Sequence, residues 1–523
     1  MEGFKAFLSQ ALTFCLSLGG KLLWAGLILL AGFVGIRLIG KFMEKSKGFQ
    51  KLDKAIQSFT RSFVKIVLWT IVLVAVVSVL GVPVSSLIAI ISAAGLAIGT
   101  WVNWLLVAKP LRHYSERLGA ITVPEFFTKR FDDRRHLLQG LAALVILIFF
   151  VPYTASGFAA CGKLFSALFG WNYLPCMIIS AVVIVGYTVL GGFLAASVTD
   201  LIQSVVMTIA LTAVLVFGIT TAGGVDSVLA NATQVAGYLK LNAMGNILTG
   251  ESSAYGLLTV ISTMAWGLGY FGMPHILLRF MAIGEPDKLK ISRRVGTIWV
   301  VISMAIAILI GVVGYGMVQN GVMAGFESAS AAEAIIVSIA RLISEHGAVA
   351  ALLAGLILAG ILASTMSTAD SQLLAASSSV SHDLLCGCLG KRLSEKQKML
   401  SARLALSVIA VLGMILARDP NSSVFTIVSF AWAGFGAAFG PAMLCALFWK
   451  RTTWQGALAG MFSGGAMVFL WKFLLKPLGG AWGIYELLPA FLVSLAAIVI
   501  VSLLTRAPRQ QVGALFDEVK TLR

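Results

Sequence analysis

The run AVAALLAGLILAGILASTMSTADSQLLAASSS fills residues 348–379 and is apolar over most of its length. A helix needs about 20 mainly apolar residues to cross a bilayer, so this run is long enough to span one. Its second half nevertheless contains MSTADSQ, residues 366–372, in which hydroxyls, a carboxylate and an amide stand close together. Polar groups inside a membrane are costly, so this cluster is a candidate functional site on a membrane helix.

The whole chain has the composition of an integral membrane protein. Of its 523 residues, 59% are hydrophobic and only 12% are charged, and the mean hydropathy is +0.94. Backbone groups in lipid must be paired within their own segment, so each long apolar run is interpreted as a helix. Thirteen such runs are predicted, at about 22–40, 60–81, 84–109, 137–161, 173–193, 201–222, 254–280, 292–318, 348–380, 401–417, 424–448, 455–475 and 485–505. The predicted fold class is therefore an all-α integral membrane protein with about thirteen transmembrane helices.

The distribution of charge predicts the orientation of the chain. The formal net charge is +17, and the basic residues cluster in alternate loops if the runs cross the membrane in turn. These basic clusters lie at about 41–65, 112–135, 288–294, 391–398, 450–451 and 506–509. The opposite loops, near 223–253 and 319–346, contain more acidic than basic residues, which is the positive-inside pattern. We expect a multi-pass protein of the plasma (inner) membrane, with its N-terminus outside and its C-terminus cytoplasmic, rather than a nucleic-acid-binding protein.

The sequence lacks the motifs expected of an enzyme or an ATP-driven pump. It contains no Walker-type phosphate loop, no metal-ligand cluster and no set of residues arranged around a nucleophile. Cys386 and Cys388 stand two apart without further ligands, which is too few for a zinc site. The energy for any transport would then have to come from an ion gradient.

Three hydroxyls in the opening run predict an ion site. Ser364, Ser367 and Thr368 are spaced i, i+3 and i+4, so they share one face of a helix, here called the hydroxyl face. Hydroxyl and carbonyl oxygens are the ligands that a hard cation such as sodium prefers, and a face without charge suits a releasable monovalent ion. The alternative is that each hydroxyl only bonds the carbonyl one turn back, as expected of Thr365.

Other polar residues are predicted to lie near the ends of these runs. Asp370 and Gln372 could lie at a solvated helix terminus near the cytoplasm. Asp200 ends GGFLAASVTD, between two predicted spans, where it could cap the next helix or serve as a cation way-station. His275 and Arg279 are one turn apart and would mark the cytoplasmic end of their span.

The stretch AWGLGYFGMPH, residues 265–275, predicts a broken membrane helix. Three glycines and a proline within eight residues weaken a helix, and irregular backbone at membrane depth must be buried or line a cavity. Secondary transporters build substrate sites at such breaks. Trp266 and Tyr270 are four residues apart and could form an apolar wall with one hydrogen-bonding tip for a small zwitterion. The alternative is that they belong to an aromatic belt at the membrane interface.

Several long blocks resemble the sodium/solute symporter family, and closely its sodium/proline symporter branch. The resemblance covers about four-fifths of the chain, from about Gly99 to the C-terminus. Its blocks are GTWVNWLLVAKPLR, TVPEFFTKRFDD, GGFLAASVTD, WGLGYFGMPHILLRFMA, MSTADSQLLAASS, AWAGFGAAFGP and GALAGM. The resemblance implies a core of two inverted five-helix repeats with flanking helices, and sodium-coupled uptake by alternating access.

The same resemblance implies roles for individual residues. The positions that correspond to sodium ligands are Ser364, Ser367 and Thr368. Asp200 corresponds to a carboxylate implicated in sodium coupling. The positions that correspond to the substrate side are Tyr153, Trp266, Tyr270 and Pro274. Sodium would thus be the required ion, and proline the expected substrate.

The first 98 residues resemble something different, namely the membrane region of a small-conductance mechanosensitive channel. The stretches that carry this likeness are LDKAIQSFTRSFVKIVLW and VSVLGVPVSSLIAIISAAGLAIG. The two resemblances together imply that the symporter family's first core helix, which would supply further sodium-binding carbonyls, is replaced, with a seam near 95–101. The sequence therefore predicts two parts, a channel-like segment at 1–98 and a symporter domain at 99–523.

Three functions follow from these observations. The first is sodium-coupled symport of a small amino acid, with proline expected, for which a monomer in the lipid bilayer suffices. The second is an inactive fusion product that retains the symporter fold. The third is a mechanosensitive-type channel led by the N-terminal helices, which needs a ring of subunits around a pore. Oligomeric state and proline uptake distinguish the three.

Overall fold

A computed structural model describes residues 26–41, 43–44, 68, 72, 86–237, 243–245, 250–254 and 256–522. Within them, nine helical spans are long and apolar enough to cross a membrane, and two of these spans belong to one continuous helix. These nine are Leu137–Phe169, Tyr173–Leu190, Ala196–Thr221, Pro286–Gln319, Ala348–Cys388, Glu395–Leu416, Val424–Phe448, Trp454–Leu478 and Leu487–Leu504. Each coincides with one of the thirteen predicted runs. The run at 60–81 falls almost entirely outside the described residues.

The described chain is nearly all helical. Its helices, in order, are α1 (Ser86–Leu106), α2 (Ala108–Leu118), α3 (Val123–Arg130), α4 (Leu137–Phe169), α5 (Tyr173–Thr221), α6 (Gly224–Gln234), α7 (Leu257–Met264), α8 (Pro274–Ala282), α9 (Leu289–Gln319), α10 (Ala329–Ala332), α11 (Ile335–Ser344), α12 (Ala348–Ser378), α13 (Glu395–Leu416), α14 (Val424–Phe448), α15 (Trp454–Leu470), α16 (Leu487–Leu504) and α17 (Gln510–Thr521). A 3₁₀ segment covers Ala265–Phe271, and a π-helical segment, Ser379–Cys388, continues α12.

The chain divides into two compact units. One comprises 1–89 and 235–256, and its described part contains a helical stretch at 26–41. It also contains a short antiparallel hairpin, in which β1 (Ala243–Gly245) pairs with β2 (Ser252–Ala254). The other unit comprises 90–234 and 257–523 and contains the helices described below.

Helix α14 forms the core of the larger unit. Of its apolar window, 89% is buried, against 17% to 56% for the windows in α4 and α5. Small residues on this helix allow close contact, since Gly434 lies against the ring of Phe149 on α4 and Gly436 against the backbone of Gly269. Tight backbone packing of this kind is characteristic of helix interfaces in membranes. Helix α14 therefore holds the broken span on one side and α4 on the other.

Helix α5 differs from the sequence prediction. It is continuous over 49 residues, where two spans joined by a loop were expected. Gly191 and Gly192 stand just before the expected loop, and glycine costs a helix only about 1 kcal/mol per residue, so the backbone stays helical. Asp200 consequently lies inside a helix, and its interpretation as a helix N-cap is wrong.

The predicted break in the seventh run is confirmed. Helix α7 ends at Met264, the next seven residues form the 3₁₀ segment, and α8 begins with Pro274 at its first position. Met273, just before the proline, has an extended backbone, because proline disfavours the helical conformation of the residue that precedes it. The break places a non-helical stretch beside α1 and α14.

The expectation of a solvated terminus near Asp370 is wrong. Helix α12 runs to Ser378 and continues in the π-helical segment. Asp370 and Gln372 are 0% and 1% exposed, because α4 and α5 pack over this part of the helix. A buried carboxylate and amide inside a membrane helix are costly unless they are hydrogen-bonded, so their partners bear on the site.

Candidate functional site

A cavity of about 380 Å³ lies where α1, α5, α8, α9 and α12 meet the 3₁₀ segment, and it is called here the site cavity. It brings together five of the residues predicted from the sequence. These are Asp200, Tyr270, Ser364, Ser367 and Thr368. They come from three elements that are far apart in the chain, so their convergence is a property of the fold.

The hydroxyl face of α12 lines the site cavity. Ser367 Oγ and Thr368 Oγ1 both donate to the carbonyl of Ser364, at 3.0 and 3.1 Å. Thr365 donates to the carbonyl of Ile361 at 3.1 Å, as expected for a hydroxyl that bonds the carbonyl one turn back. A hydroxyl that donates its proton retains lone pairs, so Ser367 and Thr368 can still present oxygen to a cation. The face thus satisfies its protons within the helix and directs acceptors into the cavity.

Asp200 does not stand alone in the site cavity. Its carboxylate forms an ion pair with Arg279 of α8. The same guanidinium donates to Ser371 Oγ at 2.8 Å, one turn beyond Ser367 on α12. Arg279 therefore joins α5, α8 and α12, a role that the sequence analysis did not assign to it. Its one sequence signal was its position a turn after His275 at the broken span.

A second buried contact joins α5 to α12 beside the hydroxyl face. The hydroxyl of Tyr187 donates to the Asp370 carboxylate, and Ser371 Oγ donates to the other oxygen of that carboxylate at 3.2 Å. Asp370 is thus fully buried and satisfied by hydroxyl donors. Tyr187 was not singled out from the sequence, because nothing near it in the chain indicates its partner.

Tyr270 connects the broken span to its neighbours. Its ring packs edge-on against Trp432 of α14, with centroids 5.0 Å apart. Its backbone carbonyl accepts a hydrogen bond from Asn103 of α1 at 3.0 Å. The 3₁₀ geometry frees this carbonyl from the helix ladder, and the buried Asn103 amide satisfies it. Tyr270 therefore faces the site cavity from a fixed backbone.

The other three predicted substrate-side residues do not line this cavity. Trp266 stacks on Tyr485, with centroids 5.1 Å apart, and its carbonyl accepts from Trp432 Nε1 at 2.9 Å. Tyr153 on α4 is 8% exposed and lies edge-on to His275, with centroids 6.3 Å apart. Pro274 starts α8. These residues surround the break on its other sides.

Two glycines let the broken span approach α1. A Cβ added to Gly99 would lie 2.5 Å from the Cα of Gly267, and one added to Gly267 would lie 2.5 Å from the carbonyl oxygen of Gly95. Real Cβ atoms do not approach other atoms so closely, so this contact is between bare backbones. It positions Thr100, the next residue of α1, and Asn103, one turn further along, at the site cavity.

Comparisons with known proteins show the family of the chain. A profile of the sodium:solute symporter family matches residues 53–464. The osmoregulated proline transporter OpuE of Bacillus subtilis (strain 168) is 38% identical over 82% of this chain and 84% of its own. The sodium/proline symporter of Escherichia coli (strain K12) is 34% identical over 97% of this chain and 95% of its own.

A solved structure shows the fold. The substrate-bound outward-open state of a Na⁺-coupled sialic acid symporter superposes with a TM-score of 0.62 at 17% identity, over 82% of this chain and 88% of that one. The helical transporter fold expected from the sequence is thereby confirmed. The number of thirteen helices is not tested.

The matches also reach further upstream than the resemblance noted in the sequence. Both the family profile and the E. coli relative include residues before Gly99. The channel-like character of 1–98 and the replacement of the first core helix remain predictions. The family profile matches most of this chain, and relatives that are more than 30% identical to it align over most of their own length. The chain therefore belongs to the sodium:solute symporter family.

Proposed function

We propose that this protein is a symporter that couples the entry of Na⁺ to the uptake of proline by alternating access. The observation that carries the proposal is the site cavity, in which an uncharged hydroxyl face, a carboxylate and an aromatic residue from a broken span meet. The relatives named as proline transporter and sodium/proline symporter support the choice of ion and substrate.

The hydroxyl face is the proposed Na⁺ site. The oxygens of Ser364, Ser367 and Thr368 carry no charge, so they bind a monovalent cation weakly enough to release it. Asp200 lies in the same cavity, where it is ion-paired with Arg279, and its carboxylate attracts the cation in competition with that guanidinium. Asp200 thus draws the ion into the cavity, and the hydroxyl oxygens select a hard cation such as Na⁺.

The proposed substrate site adjoins the broken span. The cavity has the size of a small-molecule site, and Tyr270 contributes an apolar ring with a polar tip to its wall. Tyr153, Trp266 and Pro274 hold the break from the other sides and would contact substrate as the helices around it move. Proline, a compact zwitterion, suits a wall of this kind.

The orientation and assembly are also proposals. The basic loops favour a multi-pass protein of the inner membrane, with its N-terminus outside and its C-terminus in the cytoplasm. A monomer suffices, since the site cavity is formed by one chain. The N-terminal 98 residues are proposed as a separate, channel-like segment joined to the symporter domain.

Uptake of labelled proline into proteoliposomes tests the function. We expect accumulation with an inward Na⁺ gradient and none with an equal K⁺ gradient. Ser367→Ala and Thr368→Ala should each raise the Na⁺ concentration for half-maximal uptake about tenfold, which corresponds to about 1.4 kcal/mol of lost binding. Thr365→Ala is the matched control, because its hydroxyl bonds Ile361 and does not line the cavity. Folded protein that takes up no proline would overturn the proposal and favour the inactive fusion. Proline uptake that is equal without Na⁺ would overturn the coupling to Na⁺.

A further inference from the structure

A second cavity, of about 510 Å³, lies at the ends of the last membrane helices and is called here the end cavity. Its walls are the loop between α14 and α15, the segment after α16, and α17. Helix α14 ends at Phe448, α15 starts at Trp454 and α16 ends at Leu504. Since each wall begins within a few residues of a spanning helix, the end cavity lies at the depth of the lipid headgroups.

The charges that line the end cavity are mostly positive. Lys450, Arg451 and Arg509 face one carboxylate, Asp517. Lys450 and Asp517 form an ion pair. Arg509 is paired outside this set, with Asp132 at 2.8 Å. Since Asp517 neutralises Lys450 and Asp132 neutralises Arg509, the positive charge of Arg451 remains in excess at the end cavity.

Arg451 lines this cavity and is held by a hydrogen bond to the end of α16. Its Nη2 donates to the carbonyl of Thr505 at the end of α16, at 2.8 Å, which fixes the guanidinium in place. Its Nη1 is buried and has no hydrogen-bond partner. A buried guanidinium nitrogen without a partner is costly, and a fixed planar guanidinium is suited to the oxygens of a phosphate. The geometry thus favours an anion with several acceptor oxygens.

An apolar surface continues from the same place into the membrane. Leu503 and Leu504, just before Thr505, are 60% and 82% exposed. They lie on the last turn of a spanning helix, so lipid chains cover them. A free anion would gain nothing from this surface, whereas a lipid whose headgroup enters the end cavity would lay its acyl chains along it.

We propose that the end cavity binds the phosphodiester headgroup of an anionic phospholipid. The Arg451 guanidinium and Lys450 hold the phosphate oxygens, and the acyl chains pack on the exposed leucines of α16. Asp517 competes with the phosphate for Lys450, so the ion pair between them opens when the lipid binds.

Native mass spectrometry of the purified full-length protein tests the proposal. Phosphatidylglycerol and phosphatidylcholine with identical acyl chains are titrated separately. We expect the anionic lipid to remain bound at lower concentration. Lys450→Gln combined with Arg451→Gln should weaken it by on the order of fivefold for each charge removed. The matched control removes two charges elsewhere, Lys391→Gln with Arg392→Gln, both exposed and outside the end cavity, and should leave affinity unchanged.

A variant that is expected to strengthen lipid binding keeps the test decisive if the double variant fails to fold. Asp517→Asn removes the competitor of the phosphate and should tighten phosphatidylglycerol binding several-fold. Equal weakening by the cavity and control pairs would overturn the proposal, as would unchanged affinity in Asp517→Asn. Inorganic phosphate and glycerophosphoglycerol are the competing probes. If either displaces the lipid at equal concentration, the site takes a free anion and the lipid assignment is wrong.

Discussion

Arg279 on α8 is ion-paired with Asp200 on α5 inside the cavity that contains the hydroxyl face of α12. The Asp200 side chain is 14% exposed and that of Arg279 is 40% exposed, so the pair is only partly screened by water. Among the described residues that line the cavity, Asp200 is the only one whose charge attracts Na⁺. That charge is already neutralised by Arg279. Any Na⁺ that approaches Asp200 has to compete with Arg279.

This competition predicts opposite effects for two substitutions. Arg279→Gln should lower the Na⁺ concentration for half-maximal uptake several-fold, because Asp200 is then free to attract the cation. Asp200→Asn should raise it, because the cavity is left with an unpaired guanidinium that repels Na⁺. The measurement is the Na⁺ dependence of proline uptake in proteoliposomes, at constant ionic strength.

The double variant serves as the control for this pair. Asp200→Asn combined with Arg279→Gln removes both charges, and the two shifts should largely cancel rather than add. Shifts in the same direction for both single variants would show that the residues act only by supporting the fold. Thermal unfolding of all three variants checks that their stability is similar.

The sequence predicted the positions of the nine spans, the broken helix and the hydroxyl face, because each depends on local pattern. Long apolar runs, a dense group of glycines with a proline, and i, i+3, i+4 spacing are all visible within a dozen or so residues. The contacts that complete the site are not local. Arg279 and Asp200 are 79 residues apart, and Tyr187 and Asp370 are 183 apart. They meet only through the packing of α5 against its neighbours.

The two wrong predictions have the same cause. Asp200 was read as a possible helix cap and Asp370 as part of a solvated terminus, because an acidic residue near the end of an apolar run normally meets water. The structure instead continues both helices past these residues. Hydroxyl and guanidinium partners from other helices then stabilise the buried carboxylate of Asp370 and the partly buried one of Asp200.

Glu125, near the start of α3, predicts an acid-sensitive contact. Burial raises the pKa of this carboxyl, but hydrogen bonds from His382, Lys129 and the backbone N–H of Ile121 outweigh burial and lower it to about 2. Because the folded-state pKa is below the ordinary value, the stabilisation is present above about pH 4.5 and is lost as the pH falls towards 2. Glu125→Gln should therefore unfold at lower temperature than the wild type at pH 7.

The pH dependence is the sharper part of this prediction. The difference in unfolding temperature between wild type and Glu125→Gln should shrink between pH 5 and pH 3, measured by intrinsic fluorescence in detergent. Glu116→Gln is the matched control, since that carboxylate is 56% exposed and pairs with Arg112 across one helical turn. A difference that stays constant over the whole range would show that Glu125 acts by packing, without its charge.

Glu333, which follows α10, holds the start of α14. Its carboxylate accepts from Ser423 Oγ at 2.9 Å and from the backbone N–H groups of Val424 and Phe425, and Lys163 of α4 lies 2.8 Å away. A negative charge at a helix N-terminus satisfies donors that have no partner within the helix. Burial raises the pKa of Glu333, but the bonds from Lys163 and Ser423 outweigh it and lower the pKa overall.

Loss of this charge should loosen α14. Glu333→Gln should lower the free energy of unfolding at pH 7 by about 2 kcal/mol, the order expected for a hydrogen-bonded charge. Unfolding in denaturant, followed by tryptophan fluorescence, measures the change. Glu345→Gln, at an exposed position just after α11, should have almost no effect. Equal losses in the two variants would mean that the bonds at α14 contribute little.

Gly99 on α1 should tolerate no side chain, because α1 and the 3₁₀ segment touch through their backbones there. A Cβ at this position would lie 2.5 Å from the Cα of Gly267, so one of the two elements has to move. Overpacking of this kind costs about 1–3 kcal/mol, which thermal unfolding of Gly99→Ala should show. The displacement would also shift Asn103 away from the carbonyl of Tyr270, so proline uptake should fall more than stability does.

Gly355→Ala on α12 is the control, because a Cβ there meets nothing within 4 Å. It should be neutral or slightly stabilising, since alanine favours a helix by about 1 kcal/mol over glycine. If Gly99→Ala transports proline as well as Gly355→Ala does, the backbone contact does not position the site.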